Sequence, residues 1–494
     1  MALGLSPSEI VDKGEYPLLV KARHWLRVPL SEVAAVQNGF AFKSEFFNRD
    51  SGMPLIRIRD VTKSDPEHKY NGDYEPEFIV KRGDILIGMD GDFYAAIWDG
   101  PAGLLNQRVC RLEVINKNYD RKFFFLCLQP YLNAINAETS SVTVKHLSSR
   151  TIQDIPLPLP PLNEQKRIVA KTEELFSELD KSIENLRTAQ QQLKIYRQAV
   201  LKHAFEGKLT ADWREKNKNK LETADQLLAR IKRERDAEAK ILGKKTLKET
   251  RPLADEDFSW LSSLAAEWFW DRLGWMTCGI EYGSGAKSSE TGDVPVLRMG
   301  NIQNMKLDWD DLVYTSDKNE ISDYLLKAGD VLFNRTNSPE WVGKTALYKG
   351  ERPAIFAGYL MRVNQIDSIV DARFLNFYLN SHTAKQYGNK VKTDGVNQSN
   401  INGEKLAHYP FPYCSLEEQR VIVDLLEESL SSIDRTEADI DFQLQKSETL
   451  RQSILKRAFS GRLVAQDPKD EPASILLERI RAKKNGAERS KNAA

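Results

Sequence analysis

Val342-Gly343-Lys344-Thr345 ends as a phosphate-binding loop ends, and it is the nearest this chain comes to a catalytic motif. A loop of that kind cradles phosphate with backbone N–H groups, and its first glycine would stand at position 338. Ser338 is there instead, and Asn337-Ser338-Pro339-Glu340-Trp341 is not a glycine-rich cradle. No H-E-x-x-H or G-x-S-x-G run occurs, and the six histidines do not cluster, so neither zinc chemistry nor a nucleophile elbow is indicated. Asp90-Gly91-Asp92 reads as a polar turn ahead of Phe93 and Tyr94, not as a metal site. Cys110, Cys127, Cys278 and Cys414 are scattered without a C-x-x-C pair, which argues against disulfides and structural zinc. A second chemistry is better represented. Arginine reads guanine, and asparagine or glutamine reads adenine, through paired hydrogen bonds to base edges. Such side chains gather at predicted loop tips. In the first half they are Arg57 and Arg59, Asp90 with Phe93, Gln107 with Arg108, and Lys145 with His146. In the second half they are Arg298, Asn301 and Gln303, the run Asn334-Arg335-Thr336-Asn337 with Lys344, and Asn397-Gln398-Ser399. Taken singly each is an ordinary solvated loop residue; taken as groups they are candidate DNA contacts.

The elements that must position these groups are short β-rich runs at 54–59, 83–89, 108–115, 295–300 and 329–335, punctuated by Gly, Asn, Asp and Pro. Helical patterns follow at 123–135 and 372–388, so each half reads as α+β.

The halves are copies. Leu162, Glu164-Gln165, Leu201-Lys202, Ala204-Phe205 and Gly207 match Leu416, Glu418-Gln419, Leu455-Lys456, Ala458-Phe459 and Gly461. Every pair is 254 positions apart. Arg57 matches Arg298, Gly83-Asp84 matches Gly329-Asp330, Val142 matches Val396, and Leu227-Leu228 matches Leu476-Leu477. Residues 163–206 carry apolar positions at heptad spacing, one set being Ile168, Leu175, Ser182, Ala189 and Tyr196, the other Thr172, Leu179, Leu186, Leu193 and Val200. Leu426, Ile433, Ile440, Ser447 and Ile454 form the matching second stripe. Coiled-coil patterning of this kind predicts two rods of roughly 60 Å packed antiparallel. Ser415-x-x-Glu418 reads as a capping box, Asn163 as the cap of the first rod, and Gly207 and Gly461 as C-caps. An equal helix length in both copies suits a spacer.

The resulting division is a globular domain over 1–161, a spacer helix over 162–210, a helical extension and linker over 211–263, a second globular domain over 264–413, a second spacer helix over 414–464, and a helical extension with a basic tail over 465–494. An apolar fraction of 41% supports real cores. Lys and Arg total 71 and Asp and Glu total 71, so a DNA-binding face must be local or shared with partners. There is no signal-peptide pattern and no apolar run of the ~20 residues that spans a bilayer; the expected location is the cytoplasm.

The paired L-x-E-Q…RQ-A/S-V/I-L-K-x-A-F-x-G-x-L blocks, closing two divergent halves, resemble the specificity subunit of type I restriction–modification systems. Pro160-Pro161 before the first block fits that pattern, and Cys414-Ser415 departs from it. The resemblance covers essentially the whole chain, and Thr210-Ala211-Asp212-Trp213-Arg214 and the basic tail place it near members with long extensions. It implies two target recognition domains joined by two long antiparallel coiled-coil helices, a pseudo-twofold tandem repeat. It implies a non-catalytic reader of bipartite double-stranded DNA. Two modification subunits would supply S-adenosylmethionine and N6-adenine methylation. Restriction subunits would supply ATP- and Mg-dependent translocation and cleavage. No cofactor or metal is expected on this chain. The alternative is a coiled-coil adaptor without specific DNA readout. A fused methyltransferase would need an N-P-P-[FY] or D-P-P-[FY] run, and none occurs.

Overall fold

The computed structural model describes residues 5–139, 145–241, 252–339, 341–395 and 398–491. It divides into two compact units, one formed by Met1–Leu186 with Phe442–Ala494 and the other by Arg187–Asp441. Both long helices cross that division, so each unit owns one half of each helix.

The first unit is built on an antiparallel sheet of strands in the order Ala34–Asn38, Val109–Val114, Ile85–Gly88, Tyr94–Ile97. A five-stranded mixed sheet lies beside it in sequence, with Met53–Ile56 parallel to Gly103–Leu105. Trp25, Phe123 and Phe124 are fully buried in its main core, which also takes in Ile168 from the first long helix and Ala458 and Phe459 from the end of the second. The second unit repeats the plan. Its sheet runs Thr277–Tyr282, Leu360–Gln365, Val331–Asn334, Thr345–Leu347. Its core takes in Leu201 and Phe205 from the end of the first long helix and Ile422 and Leu426 from the start of the second. Each long helix therefore begins against the domain that precedes it and ends in the core of the other. The helical tails follow the same exchange. Ala224–Ile241 buries Leu227 and Ile231 in the second unit, and Ala473–Lys491 buries Leu476 and Ile480 in the first.

The two long helices are Leu162–Phe205 and Leu416–Phe459, each of 44 residues. Their ends fall on equivalent residues of the 254-residue repeat. Both stop in the same way. Gly207 donates to the Ala204 carbonyl and Lys208 to that of His203; Gly461 donates to Ala458 and Arg462 to Arg457. This is a Schellman cap, and it requires the left-handed backbone that glycine tolerates; φ is +73° at Gly207 and +69° at Gly461. A Cβ on Gly461 would also lie 2.7 Å from the Ala22 Cβ. Gly461→Ala is expected to cost about 1–2 kcal/mol from the backbone alone, and more from the clash. Chemical unfolding of the variant against the parent chain measures it; an unchanged midpoint would show that the cap contributes nothing.

The helices pair antiparallel within each unit. In the second unit Gln190 donates to Asp441 at 2.6 Å, and Arg197 reaches Asp434 at 2.7 Å and Glu437 at 2.9 Å. In the first unit Arg451 pairs with Asp180 and lies 4.5 Å over the Phe176 ring. Arg197 and Arg451 are repeat equivalents, as are Asp180 and Asp434, so each helix gives the arginine once and the aspartate once. The stripe Leu426, Ile433, Ile440, Ser447, Ile454 is buried throughout. In the first helix Thr172, Leu179 and Val200 are buried as expected, with Leu186 and Leu193 half-buried. In the other set Ile168 is buried and Leu175 and Ala189 are half-buried as expected, but Ser182 and Tyr196 are exposed, and Phe176, Ile183, Gln190 and Arg197 are partly covered as well. Polar residues hold two of those inward positions, which apolar periodicity cannot register.

The helix starts also differ from expectation. The first helix begins at Leu162, with Gln165 donating to the Pro161 carbonyl at 2.9 Å, so Asn163 lies inside it. Ser415 accepts from the Glu418 backbone N–H, but the Glu418 carboxylate turns to Trp268, Thr210 and Arg214. The shared Glu-Gln pair is a docking device in both copies. Gln165 accepts from the Asp120 backbone N–H at 2.7 Å and donates to the Pro160 carbonyl. Gln419 accepts from the Asp371 N–H at 2.9 Å and donates to the Ile369 and Cys414 carbonyls.

Candidate nucleic-acid interface

Three of the predicted first-half residues converge at one end of the four-stranded sheet. Asp90 and His146 face each other across an isolated antiparallel bridge, with Asp90 Oδ1 2.6 Å from His146 Nδ1. Arg108 Nε lies 3.4 Å from Asp90 Oδ2, and Arg108 Nη1 lies 3.1 Å from His146 Nδ1. Arg108 has φ of +72°, an uncommon backbone for a residue with a Cβ. It is held there because its carbonyl accepts from the Met89 N–H at 2.9 Å. Gln107 and Arg108 are exposed, and with Asn38, His146 and Ser149 they line a shallow depression. A guanidinium, an imidazole and an amide side by side can donate to O6, N7 or phosphate oxygens, while Asp90 keeps the guanidinium in place.

The same frame recurs in the second unit with other side chains. The Arg335 N–H donates to the Tyr359 carbonyl as Met89 does to Arg108, and Ile401 donates to Arg335 as Leu147 does to Met89. Thr336 pairs with Asn400 where Asp90 pairs with His146. The positions corresponding to Asp90, Arg108 and His146 are thus Thr336, Tyr359 and Asn400. Asn400 Nδ2 donates to Thr336 Oγ1 at 2.7 Å, and Tyr359 is exposed. Arg335 lies 4.7 Å over the Tyr282 ring, a cation–π arrangement that fixes its guanidinium near the same strand ends. Thr336 and Asn337 are half-buried, and Asn337 Oδ1 accepts from the Ser338 N–H. Gln303 and Lys344 also meet, at 3.1 Å, and Lys344 Nζ lies 3.7 Å over the exposed Trp341 ring. Burial, with Lys385 nearby, holds the Lys344 ammonium below the usual lysine range.

Other predicted residues serve the fold. Phe93 is buried in the first core; the exposed aromatic of that turn is Tyr94. Lys145 donates to the Asn136 backbone carbonyl and side chain. Asn301 is buried and closes a turn, accepting from the Arg298 N–H and donating to the Asp308 and Asp311 carbonyls. Asn334 is fully buried at a strand end, and Ser399 is buried with its hydroxyl on Asp394. Asn301 and Lys145 turn to the protein because backbone carbonyls there need donors before a polar residue is free to face solvent. Arg57 reaches His68 at 2.8 Å and Arg298 reaches Asp311 at 3.0 Å, whereas Arg59 and Gln398 are exposed. Asn397 and Val396, like Val142, lie outside the described residues. The loop around Lys344 is no phosphate cradle: Thr345 is fully buried, with its hydroxyl on Asn376. Residue type alone did not single out the exposed Tyr359 and Tyr94; strand pairing in a tandem repeat was the signal that could have placed Tyr359. Among the described residues no helix is long and apolar enough to cross a membrane.

Comparison with known proteins gives consistent findings. The family model for the type I restriction modification DNA specificity domain matches residues 23–194 and 282–445. The specificity subunit of the type I restriction enzyme EcoBI from Escherichia coli is 33% identical over 98% of this chain and 97% of its own length. A solved chain from work on complex assembly and conformational transition of the type I R-M system aligns with a TM-score of 0.60 at 18% identity, covering 90% of this chain and 99% of that one. The HsdS subunit from Thermoanaerobacter tengcongensis aligns with a TM-score of 0.50 at 19% identity, covering 89% and 97%.

Proposed function

The chain belongs to the type I restriction modification DNA specificity family, and from that premise we propose how it reads DNA. It is the sequence-recognition subunit of a type I restriction–modification complex and assembles with modification and restriction subunits, which carry the catalysis. In our reading each globular domain reads one half of a bipartite site through the strand-end cluster described above. The observation that carries this is the pair of equivalent positions. One frame presents Asp90, Arg108 and His146; the other presents Thr336, Tyr359 and Asn400. A common scaffold with different hydrogen-bonding groups at the same places suits two domains that read different sequences. Gln107 and Arg335 stand beside these clusters, and Arg59, Gln303, Lys344, Asn397 and Gln398 are further contacts in this reading. The reading assigns S-adenosylmethionine, ATP and Mg to the partner subunits, none to this chain, and places the complex in the cytoplasm. The long helices set the gap between half-sites and dock the modification subunits.

The test is a genome-wide map of N6-methyladenine in cells co-expressing the chain with its modification subunit. A motif of two short halves around unspecified bases is expected. Arg108→Ala should relax one half only, and Asn400→Ala the other, each by about 1–3 kcal/mol of discrimination, the worth of a paired base contact. Relaxation of both halves by one substitution, or of neither, would overturn the assignment.

A further inference from the structure

Glu418 and Glu164 occupy the same place in the two repeats, yet among the described residues only Glu418 is paired with an arginine, while Glu164 meets a histidine. In the second unit Glu418 is 1% exposed; Oε2 accepts from the Trp268 indole at 2.9 Å, and Oε1 accepts from Thr210 at 2.6 Å and from Arg214 Nη1 at 2.5 Å. Arg214 stands on the short helix Ala211–Asn217 and also binds the Gly207 carbonyl. In the first unit Glu164 is equally buried, and its Oε2 accepts from the Trp25 indole at 3.0 Å and meets His24 Nε2 at 3.2 Å. Its Oε1 accepts no hydrogen bond from any described group. Counting 254 positions on from Thr210 and Arg214 reaches Val464 and Pro468, and residues 465–472 form no helix.

What stands in place of the Arg214 helix is a depression lined by Glu164, Asp467 and Asp470, by His24 and Gln466, and by Pro161, Pro468 and Pro472 as apolar walls. Arg167 binds Asp470 through its two terminal nitrogens, at 2.6 Å from Nη2, and its Nε has no partner among the described residues. That contact holds the Asp470 carboxyl below its usual range, so it stays ionised. Leaving a buried carboxylate oxygen without a donor is costly. Flat apolar walls around carboxylates suit a planar guanidinium, which stacks on its faces and donates at its edges. An ammonium offers no such face.

We infer that this depression is a guanidinium-binding site, which takes from a modification subunit the arginine that the second unit supplies to itself as Arg214. The inference rests on the reading of the chain as an assembling specificity subunit.

The experiment measures association of the full chain with its modification subunit across salt concentrations. Glu164→Gln, which keeps an acceptor for Trp25, is expected to weaken association at least tenfold and to flatten its salt dependence. A second variant guards against a folding defect. Val464→Thr with Pro468→Arg supplies the guanidinium in cis, so it should also weaken association tenfold while raising the unfolding midpoint of the chain. Arginine amide should compete where lysine amide at equal ionic strength does not. Unchanged association in both variants, or equal competition by the two amides, overturns the guanidinium site and leaves the specificity-subunit reading intact. Failure of the parent chain to assemble overturns both.

Discussion

Glu418→Ala is expected to lower the stability of the second unit by about 3–5 kcal/mol, the cost of breaking a buried ion pair from one side. The substitution removes both acceptors of the Trp268 indole and the Thr210 hydroxyl, and it takes the closest carboxylate from Arg214. Glu267 at 3.8 Å is the charge that would remain to that guanidinium. Glu164→Ala is expected to cost less, about 1–3 kcal/mol, because the indole of Trp25 loses its acceptor but no guanidinium is stranded. Calorimetry of the full chain makes the comparison. A chain of two units need not unfold in one step, so the Glu418 variant should shift one transition and the Glu164 variant the other. Equal shifts would mean that Arg214 adds nothing to the buried carboxylate in the second unit, and the contrast between the repeats would lose its energetic meaning.

The helix frame was legible in the sequence because its length is written twice. Both helices begin and end on residues 254 positions apart, and both glycines that stop them were identified as caps. The Glu-Gln pair was visible as a repeat, but its role was not: apolar periodicity says nothing of an amide that holds a backbone N–H across 45 residues, as Gln165 does with Asp120. Arg197 and Arg451 were missed for the same reason. They point at the partner helix, yet a charged residue counts as surface in any hydrophobic stripe, and the predicted stripe slipped by one position to Tyr196. Repeat equivalence could have found them, since Asp180 and Asp434 recur at the same interval. At the candidate interface the loops named from the sequence hold both exposed and buried members. Asn301, Asn334 and Ser399 have the chemistry to read bases, and the fold uses them inside its own turns. Asp90, Arg108 and His146 come together because strand pairing joins three distant segments, which no local pattern encodes.

Lengthening both long helices by one heptad is expected to change the recognised DNA more than any point substitution. The insertions belong beside Gln190 and beside Asp441, because these residues bond each other at 2.6 Å and mark facing positions. A heptad preserves the alternating three- and four-residue steps of the stripe, so Arg197 would still meet Asp434 and Arg451 would still meet Asp180; four residues alone would turn the stripe away from its partner. A single-sided insertion would leave one helix with residues that have no counterpart. Seven residues add roughly 10 Å at 1.5 Å each, and DNA advances about 3.4 Å per base pair, so the gap should grow by about three base pairs. If the helices are the spacer, the methylation motif of the lengthened chain keeps both half-sites, carries the longer gap, and vanishes from the original targets. An unchanged gap would assign the spacing to the domains themselves, and altered half-site letters would show that the helices shape recognition directly. The two clusters make the first outcome the expected one, because Asp90, Arg108 and His146, like Thr336, Tyr359 and Asn400, are positioned by strand pairing and backbone hydrogen bonds within a unit.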